Sequence, residues 1–151
     1  MRKPIQILVF PYRKNKKLKC IQYCLFLRED LGVWQGIAGG VEDNETIEQS
    51  ARREMFEESS IPYNSNLIVL SSFASMPAAN ISKTKWEKDV YIVKEYSFGV
   101  CADGIRIKLS NEHKKFKWVN YNEAIDLLKW DSNKNALWEL NEKLKRRLEK
   151  V

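Results

Sequence analysis

The sequence predicts an α/β fold in which a mixed β-sheet is covered by helices on both faces. Short segments rich in apolar, β-branched and aromatic residues recur along the chain, with helical segments between them and at the C-terminal end. The 151 residues contain no internal repeat, low-complexity tract or linker-like stretch. A chain of this length can bury a core of its own, so we expect a single domain over residues 1–151.

The first part of the chain is predicted to form strands. A strand is expected over Pro4–Phe10, and a polar turn follows over Arg13–Lys17. Leu18–Leu27 is apolar and aromatic and predicts a second strand, closed by the polar residues 28–32. A short apolar segment, Trp34–Ala38, ends at the glycine pair Gly39-Gly40.

The remaining elements mix helices and strands. Thr46–Ser59 predicts a helix, because it contains no Gly or Pro and Pro62 follows its end. Further strands are expected over Leu67–Phe73, Val90–Val100 and Phe116–Val119, with a long polar connection over residues 75–89. Two helices are expected near the end, Asn122–Leu128 and Asn133–Leu148, and the second carries a stripe of Leu137, Leu140, Leu144 and Leu148.

Composition narrows the class of protein. The apolar fraction is 44% and the charged fraction 30%, which is typical of a soluble globular protein. No apolar run approaches the roughly 20 residues of a membrane span, and the N-terminal apolar stretch is too short for a signal peptide. We expect Cys20, Cys24 and Cys101 to be buried thiols in a reducing cytoplasm, and Trp34, Trp118 and Trp138 to belong to the core.

A concentration of negative charge follows the glycine pair. Residues 39–58 hold seven carboxylates, although the chain has a net charge of +6. On a helix over Thr46–Ser59, Ala51 points toward the core, and Glu54 and Glu58 continue in that direction, with Glu57 within about a quarter-turn. Like charges at this spacing destabilise a helix by roughly 0.2–0.5 kcal/mol per pair. Nearby Arg52 and Arg53 would relieve part of this repulsion.

A multivalent cation would relieve all of it. Carboxylate-rich sites suit Mg²⁺ or Mn²⁺, and these ions serve phosphate chemistry. The glycine pair fits such a site, because glycine allows unusual backbone angles and close approach to a ligand. A surface helix rich in Glu and Arg is the simpler alternative on composition alone. The positive net charge favours anionic partners.

The spacing of these residues resembles the signature of a known family. Gly39, five residues, Glu45, seven residues, Arg53-Glu54-Met55, one residue and Glu57-Glu58 is similar to the Nudix box of the Nudix hydrolases. The resemblance implies an α/β/α sandwich with a mixed β-sheet and a loop–helix–loop catalytic motif. It also implies cleavage of nucleoside diphosphate derivatives with Mg²⁺ or Mn²⁺. Where the family pattern ends in Gly and an apolar residue, this chain has Ser60 and Ile61, and a left-handed helix stop at Ser costs on the order of 1 kcal/mol.

The resemblance extends to residues outside the box. They are similar to the branch containing dihydroneopterin triphosphate pyrophosphatase and dATP pyrophosphohydrolases, and they are Lys3-Pro4, Leu27-Arg28, Trp34-Gln35, Asn111-Glu112-His113, Phe116-Lys117-Trp118 and Ser132-Asn133. This branch converts triphosphates to monophosphates and pyrophosphate.

The resemblance implies a set of roles for individual residues. The expected metal-binding residues are Gly39, Glu54, Glu57, Glu58 and Glu112. The expected catalytic residues are Glu57, Glu112 and Arg53, with Arg53 positioning the box carboxylates together with Glu45. The expected substrate-binding residues are Arg2, Lys3, Arg28, Ala38 and Ser132. His113, the single histidine, is a weaker candidate for the general base, because a carboxylate can serve.

Other functions remain open at this point. The chain could cleave another nucleoside diphosphate derivative, such as ADP-ribose or an RNA 5′ end, or it could be a non-catalytic module that senses a nucleotide or binds RNA. The basic segment Lys143–Lys150 is typical of the solvated face of a last helix. It could also contact RNA, but no aromatic-and-basic recognition motif accompanies it. We therefore expect a cytoplasmic Nudix hydrolase acting on a small triphosphate, without membrane or nucleic-acid partners. The sequence does not determine which base or pterin is preferred, or whether the protein forms a homodimer.

Overall fold

The computed structural model describes residues 2–81, 84–111 and 113–149 of the chain. These residues form seven strands, three α-helices and a short 3-10 helix. The strands are β1 (Arg2–Asn15), β2 (Cys20–Arg28), β3 (Trp34–Gln35), β4 (Ile37–Glu42), β5 (Leu67–Pro77), β6 (Ile92–Cys101) and β7 (His113–Val119). The helices are α1 (Ile47–Ser59), α2 (Tyr121–Leu127) and α3 (Asp131–Glu149), and the 3-10 helix is Ala78–Asn80.

All seven strands belong to one mixed sheet with β1 near its centre. On one side β1 pairs in parallel with β6, and β6 pairs with β5, which is the last strand on that side of the sheet. On the other side, the first half of β1 pairs with β4 and its second half with β2, both antiparallel. The remaining strands β3 and β7 both pair with β2.

Helices cover both faces of this sheet. On one face Ala51 and Met55 of α1 are fully buried in a cluster with Ile7 and Val9 of β1. On the other face Leu137 and Leu140 of α3 are fully buried in a cluster that includes Leu8 of β1. Neighbouring β1 residues thus serve opposite clusters, because successive side chains of a strand point to opposite faces. The architecture is the predicted α/β/α sandwich.

The predicted elements are confirmed in type, and several differ in extent. The helix predicted over residues 46–59 is α1, with Thr46 as its N-cap. The segment predicted to end at the glycine pair instead continues through it as β4, because pairing with β1 keeps residues 37–42 extended. Likewise β5 runs to Pro77 through part of the predicted polar connection, because it pairs with β6.

Some burial predictions are wrong. The α3 leucine stripe is buried as far as Leu144, the last α3 residue in the buried cluster, whereas Leu148 is 48% exposed. Trp138 is 57% exposed, since it faces away from the sheet between buried Leu137 and Leu140. Cys24 is a buried thiol, but Cys20 and Cys101 are half-buried at strand ends, and all three cysteines are free. Within the described residues, no helix is both long and apolar enough to cross a membrane.

Candidate active site

The N-terminus of α1 is fixed by local hydrogen bonds. The Thr46 hydroxyl accepts from the backbone N–H of Gln49 at 3.1 Å, and the Gln49 side chain accepts from the backbone N–H of Thr46 at 2.9 Å. This reciprocal capping box satisfies two helix-end donors. One residue earlier, the Glu45 carboxylate accepts from the backbone N–H of Glu42 at 2.9 Å. The loop between β4 and α1 is thereby held in one conformation.

Arg53 connects this loop to the helix. Its guanidinium donates to both oxygens of Glu45, each at 2.8 Å, and to the carbonyl oxygen of Gly40 at 3.0 Å. It also donates to Glu54 at 2.9 Å and to Glu57 at 3.2 Å. The hydrogen bonds to Glu45 hold the pKa of Arg53 above its usual value and lower the pKa of Glu45. Arg53 is thus a fixed cation that orders the carboxylates around it.

The glycine pair serves close approach and does not provide unusual backbone angles. Among the described glycines only Gly32 and Gly104 have positive φ, whereas Gly39 and Gly40 lie in the extended strand β4. A Cβ at Gly39 would overlap the Glu54 carboxylate, and a Cβ at Gly40 would overlap the Arg2 guanidinium. The absence of side chains therefore lets an anionic and a cationic group pack directly against the same strand.

Two carboxylates of α1 face inward together. Glu58 is only 4% exposed, and Glu54 lies against Gly39. Burial, followed by repulsion from Glu58, raises the pKa of Glu54 to about 8. Glu57 points outward instead, with its side chain 55% exposed. The predicted stripe therefore divides into an inward pair, Glu54 and Glu58, and an outward carboxylate, Glu57.

The C-terminus of α1 is tied to a distant loop. Ser60 adopts the left-handed conformation, with φ 64° and ψ 17°, and its N–H donates to the Phe56 carbonyl; this confirms the expected helix stop. The carbonyl oxygen of Ser59 accepts from Lys108 N–H at 3.0 Å, and that of Glu58 accepts from Ser110 N–H at 3.2 Å. These bonds bring the loop that leads to Glu112 against the inward carboxylates. Glu112 itself lies outside the described residues, and so does the side chain of His113.

A cavity of about 910 Å³ opens beside the box and the start of α3. The predicted site residues that line it are Arg2, Arg28, Ala38, Gly39, Glu58 and Ser132. Arg53, Glu54 and Glu57 are not among the residues that line it. Lys3 also lies outside the cavity lining, because its ammonium donates to the Glu45 carbonyl at 2.9 Å.

The two arginines of the cavity differ in their surroundings. Arg2 is held by Gln6 at 3.0 Å and by the Thr84 hydroxyl at 3.1 Å, and its guanidinium lies 5.1 Å from the ring centre of Trp86. Burial lowers the pKa of Arg2 from its usual value. Arg28, at the end of β2, forms a two-pronged ion pair with Asp30, at 2.6 and 3.0 Å, and is about one-third exposed. Arg2 is therefore a held cation, whereas Arg28 lies at the cavity mouth.

Several polar residues of the cavity were not predicted as site residues from the sequence. They include Gln6, Gln35 and Glu95. Glu95 is 3% exposed in the middle of β6. Glu95 lies two residues from buried Val93 and two residues from buried Ser97, so the three side chains share one face of β6. A carboxylate on that face was the one signal in the sequence, and it becomes informative only once the face is known to be buried.

The inward carboxylates fit a divalent cation. Among the described residues no group of three His, Cys, Asp or Glu side chains could hold a metal ion by itself. Mg²⁺, however, is commonly bound through one or two carboxylates, with the remaining ligands from water and substrate phosphates. Glu54 and Glu58 would supply two such oxygen ligands. Burial, followed by repulsion from Glu58, raises the pKa of Glu54, and a cation would remove that repulsion.

The fold and this site define a class of protein. The profile of the NUDIX domain matches residues 2–139, and the chain belongs to the Nudix family. It is a Nudix hydrolase, which acts on phosphoanhydride bonds.

Individual relatives cover nearly the whole chain. A solved structure of a NUDIX hydrolase from Listeria monocytogenes is 40% identical, with a TM-score of 0.86, and the match covers 96% of this chain and 97% of that one. The chain is 28% identical to the dihydroneopterin triphosphate diphosphatase of Escherichia coli over 90% of its own length and 91% of the relative. A solved structure of the Escherichia coli dihydroneopterin triphosphate pyrophosphohydrolase matches with 26% identity and a TM-score of 0.78, over 94% of this chain and 97% of that chain.

Proposed function

We propose that this Nudix hydrolase converts a nucleoside triphosphate such as dATP, or dihydroneopterin triphosphate, to the monophosphate and pyrophosphate. We further propose that it acts in the cytoplasm as a single domain over residues 1–151, with Mg²⁺ or Mn²⁺ as cofactor. One observation carries the proposal. A single cavity is lined by two arginines, Arg2 and Arg28, and by two residues of the box, Gly39 and Glu58. Cations and carboxylates are thereby placed around the same space.

Phosphate binding is assigned to the arginines. A guanidinium presents donors in a planar fork that matches phosphate oxygens in a bidentate way. In this proposal Arg28 exchanges its bonds to Asp30 for bonds to the outer phosphates, which is feasible because that ion pair is partly exposed. Arg2 keeps its bond to Gln6 and directs its charge toward the phosphates near Gly40. Ser132 and Ala38 complete the substrate wall.

The cleavage step needs a base and a charge stabiliser. A water oxygen bonds to a phosphorus atom, the bond to the bridging oxygen breaks, pyrophosphate leaves, and a carboxylate takes the proton of the water. Glu57 is a candidate base because it is exposed and held by one hydrogen bond to Arg53; Glu112 is the other. Glu54 and Glu58 would hold the cation, whose chemistry is to lower the pKa of a water and to balance charge on the leaving group.

The named relatives support this choice of substrate. The enzymes from Escherichia coli and Haemophilus influenzae, 28% and 24% identical to this chain, are both dihydroneopterin triphosphate diphosphatases. The match covers about nine-tenths of each, so the comparison includes the cavity as well as the box. Some of the residues outside the box that resemble this branch line the cavity, namely Arg28, Gln35, Asn111, Ser132 and Asn133.

Phosphorus NMR of the products tests the reaction. Dihydroneopterin triphosphate and dATP, incubated with the protein and Mg²⁺ in ¹⁸O-labelled water, are expected to give a monophosphate and pyrophosphate. Orthophosphate with a diphosphate as the main products would contradict the proposal, and so would cleavage of ADP-ribose without any triphosphate turnover.

A matched pair of variants tests the role of the inward carboxylates. Glu58→Gln keeps the shape and removes a charged ligand, so turnover is expected to fall by roughly 100-fold or more, since positioning and charge stabilisation each contribute factors of this size. Glu48→Gln alters an exposed carboxylate of the same helix and is expected to keep wild-type turnover. Equal activity of the two variants at limiting Mg²⁺ would refute the assignment of Glu58.

A further inference from the structure

Glu95 is a buried carboxylate whose environment is incomplete. It lies on β6 with 3% exposure and lines the cavity. Its Oε2 accepts from Gln6 Nε2 at 2.8 Å, whereas its Oε1 is buried without a hydrogen-bond partner. The Ser132 hydroxyl is near enough to oppose the rise in pKa that burial causes, but it does not form a hydrogen bond to Oε1. Within the described residues, no ion pair involves Glu95.

A buried carboxylate oxygen without a hydrogen-bond partner lowers the stability of the folded protein unless a ligand supplies the partner. Burying an unpartnered polar atom costs roughly 1–3 kcal/mol, and more for a charged group. Buried polar groups in native proteins are nearly always hydrogen-bonded, and the exceptions mark ligand sites or strain. Since Glu95 sits on an interior strand position and lines the substrate cavity, we take its open oxygen as the acceptor for a ligand donor.

Glu95 belongs to a chain of polar side chains that starts at the phosphate end of the cavity. Arg2 donates to the Gln6 side-chain oxygen at 3.0 Å, and Gln6 in turn donates to Glu95. The Nε of Arg2 is the other buried side-chain atom without a partner in the described residues. Arg2 and Glu95, at the two ends of this hydrogen-bonded chain, each carry a buried side-chain atom without a hydrogen-bond partner, and both residues line the same cavity.

The sheet sets the distance between these two ends. Gly40 on β4, Gln6 on β1 and Glu95 on β6 lie side by side in register. Neighbouring strands are about 4.8 Å apart, so Glu95 lies roughly 10 Å across the sheet from Gly40. A substrate with its phosphates at the box and Arg2 can thus place its other end at Glu95.

The cavity around Glu95 suits a flat heterocycle. Its lining includes the apolar side chains of Leu31, Met76, Ile81 and Trp130, and Trp130 is 42% exposed, so part of its aromatic side chain is accessible. Ligand sites of this kind combine apolar walls with a few polar groups that fix orientation. Glu95, on β6, supplies one of the polar groups of this cavity, and its side chain is a carboxyl group.

A carboxylate selects the edge of a heterocycle by its donors. An ionised carboxylate only accepts hydrogen bonds, and each oxygen has two lone pairs, so Oε1 and the second lone pair of Oε2 can accept from two adjacent N–H groups. The 2-amino-4-oxopyrimidine edge of guanine and the pterins presents such a pair. Adenine and cytosine present one donor beside an acceptor, and uracil presents one donor between two acceptors; an acceptor facing a carboxylate is repelled.

We propose that Glu95 is the specificity-determining residue of this cavity and selects triphosphates of 2-amino-4-oxopyrimidine heterocycles, pterin or guanine, over those of adenine, cytosine and uracil. The inference deepens the proposed function and rests on it for the triphosphate part of the ligand. Gln6 is a positioning residue, because it holds Glu95 and Arg2 in register.

Substrate competition with a matched variant pair tests the selection. The wild-type protein is expected to show a higher kcat/KM for dihydroneopterin triphosphate and dGTP than for dATP. In Glu95→Gln, which places an amide donor where an acceptor stood, the ratio of kcat/KM for dGTP to that for dATP is expected to fall on the order of 10- to 100-fold. Glu29→Gln, at the exposed rim of the same cavity, is expected to leave the ratio unchanged. A ratio within about twofold of wild type in Glu95→Gln would overturn the inference, and so would a wild-type preference for dATP.

Calorimetry in EDTA separates this inference from the proposed function. The wild-type protein should bind neopterin and GMP more tightly than AMP without metal or turnover, and Glu95→Gln should lose that preference. If no triphosphate is hydrolysed but the binding preference is present, the proposed reaction fails and the role of Glu95 stands. If triphosphates are hydrolysed and neopterin, GMP and AMP bind equally, the role of Glu95 fails and the reaction stands. The refuting outcome, equal binding of the three ligands, is measured on the wild-type protein. The test therefore does not depend on whether Glu95→Gln folds.

Discussion

Replacing Ser60 by glycine is expected to stabilise the protein. Ser60 ends α1 with φ 64°, a conformation that costs roughly 1–2 kcal/mol for a residue with a Cβ. Glycine removes that cost but loses about 0.5–1 kcal/mol more backbone entropy on folding. Because Ser60 is exposed and its N–H bond to Phe56 is independent of the side chain, the net gain in the free energy of unfolding is about 0.5–1 kcal/mol.

The chain supplies a reverse experiment at Gly32. Its φ is 63°, and a Cβ there would meet no atom within 4 Å, so Gly32→Ala adds the left-handed cost without a clash. For a domain of this size, 1 kcal/mol shifts Tm by roughly 2–4 °C. Ser60→Gly is therefore expected to raise Tm by about 1–4 °C and Gly32→Ala to lower it by a similar amount, with urea melts giving the free energies. A lower Tm for Ser60→Gly, with Gly32→Ala behaving as expected, would refute the backbone argument for the helix stop.

Three further predictions concern the box. Gly39→Ala places a Cβ against the Glu54 carboxylate, which must then shift, so kcat/KM should fall by about 10-fold or more, while an unchanged melting curve would show that the fold is intact. Arg53→Lys keeps the charge but loses the fork that holds Glu45 and Glu54, and a fall of roughly 10- to 100-fold in kcat/KM is expected. Because the pKa of Glu54 is raised to about 8 from 4.5, the folded state binds this proton more tightly than the unfolded state. Tm in EDTA should then decrease as pH rises from about 5 to about 8.5, more steeply than in Glu54→Gln, and equal slopes in the two proteins would contradict it.

Local sequence signals predicted the box well. The helix over Thr46–Ser59 and its left-handed end at Ser60 were predicted and are confirmed, and the structure shows that Thr46 is the N-cap. These features depend on residues within one or two helical turns, where hydrogen bonds and backbone preferences act directly on neighbours. The inward direction of Glu54 and Glu58 followed from helical periodicity for the same reason.

Signals that depend on pairing between strands were less informative. The sequence suggested that Gly39-Gly40 ends a segment, but pairing with β1 extends β4 through it. Lys3 was expected at the substrate, yet its ammonium bonds to the Glu45 carbonyl. In both cases a residue more than thirty positions away in the chain decides the outcome, and periodicity within one segment contains no information about that neighbour.

The sequence by itself determined the fold class, the box and the class of chemistry, because a helix with spaced carboxylates carries its own geometry. Only the tertiary structure decided which groups share a cavity. It placed Gln6 and Glu95 in register on β1 and β6, although 89 positions separate them in the chain. It also left one oxygen of Glu95 without a partner. The physical reason is that a strand presents its residues to whichever strand pairs beside it, and that pairing is a property of the folded sheet as a whole.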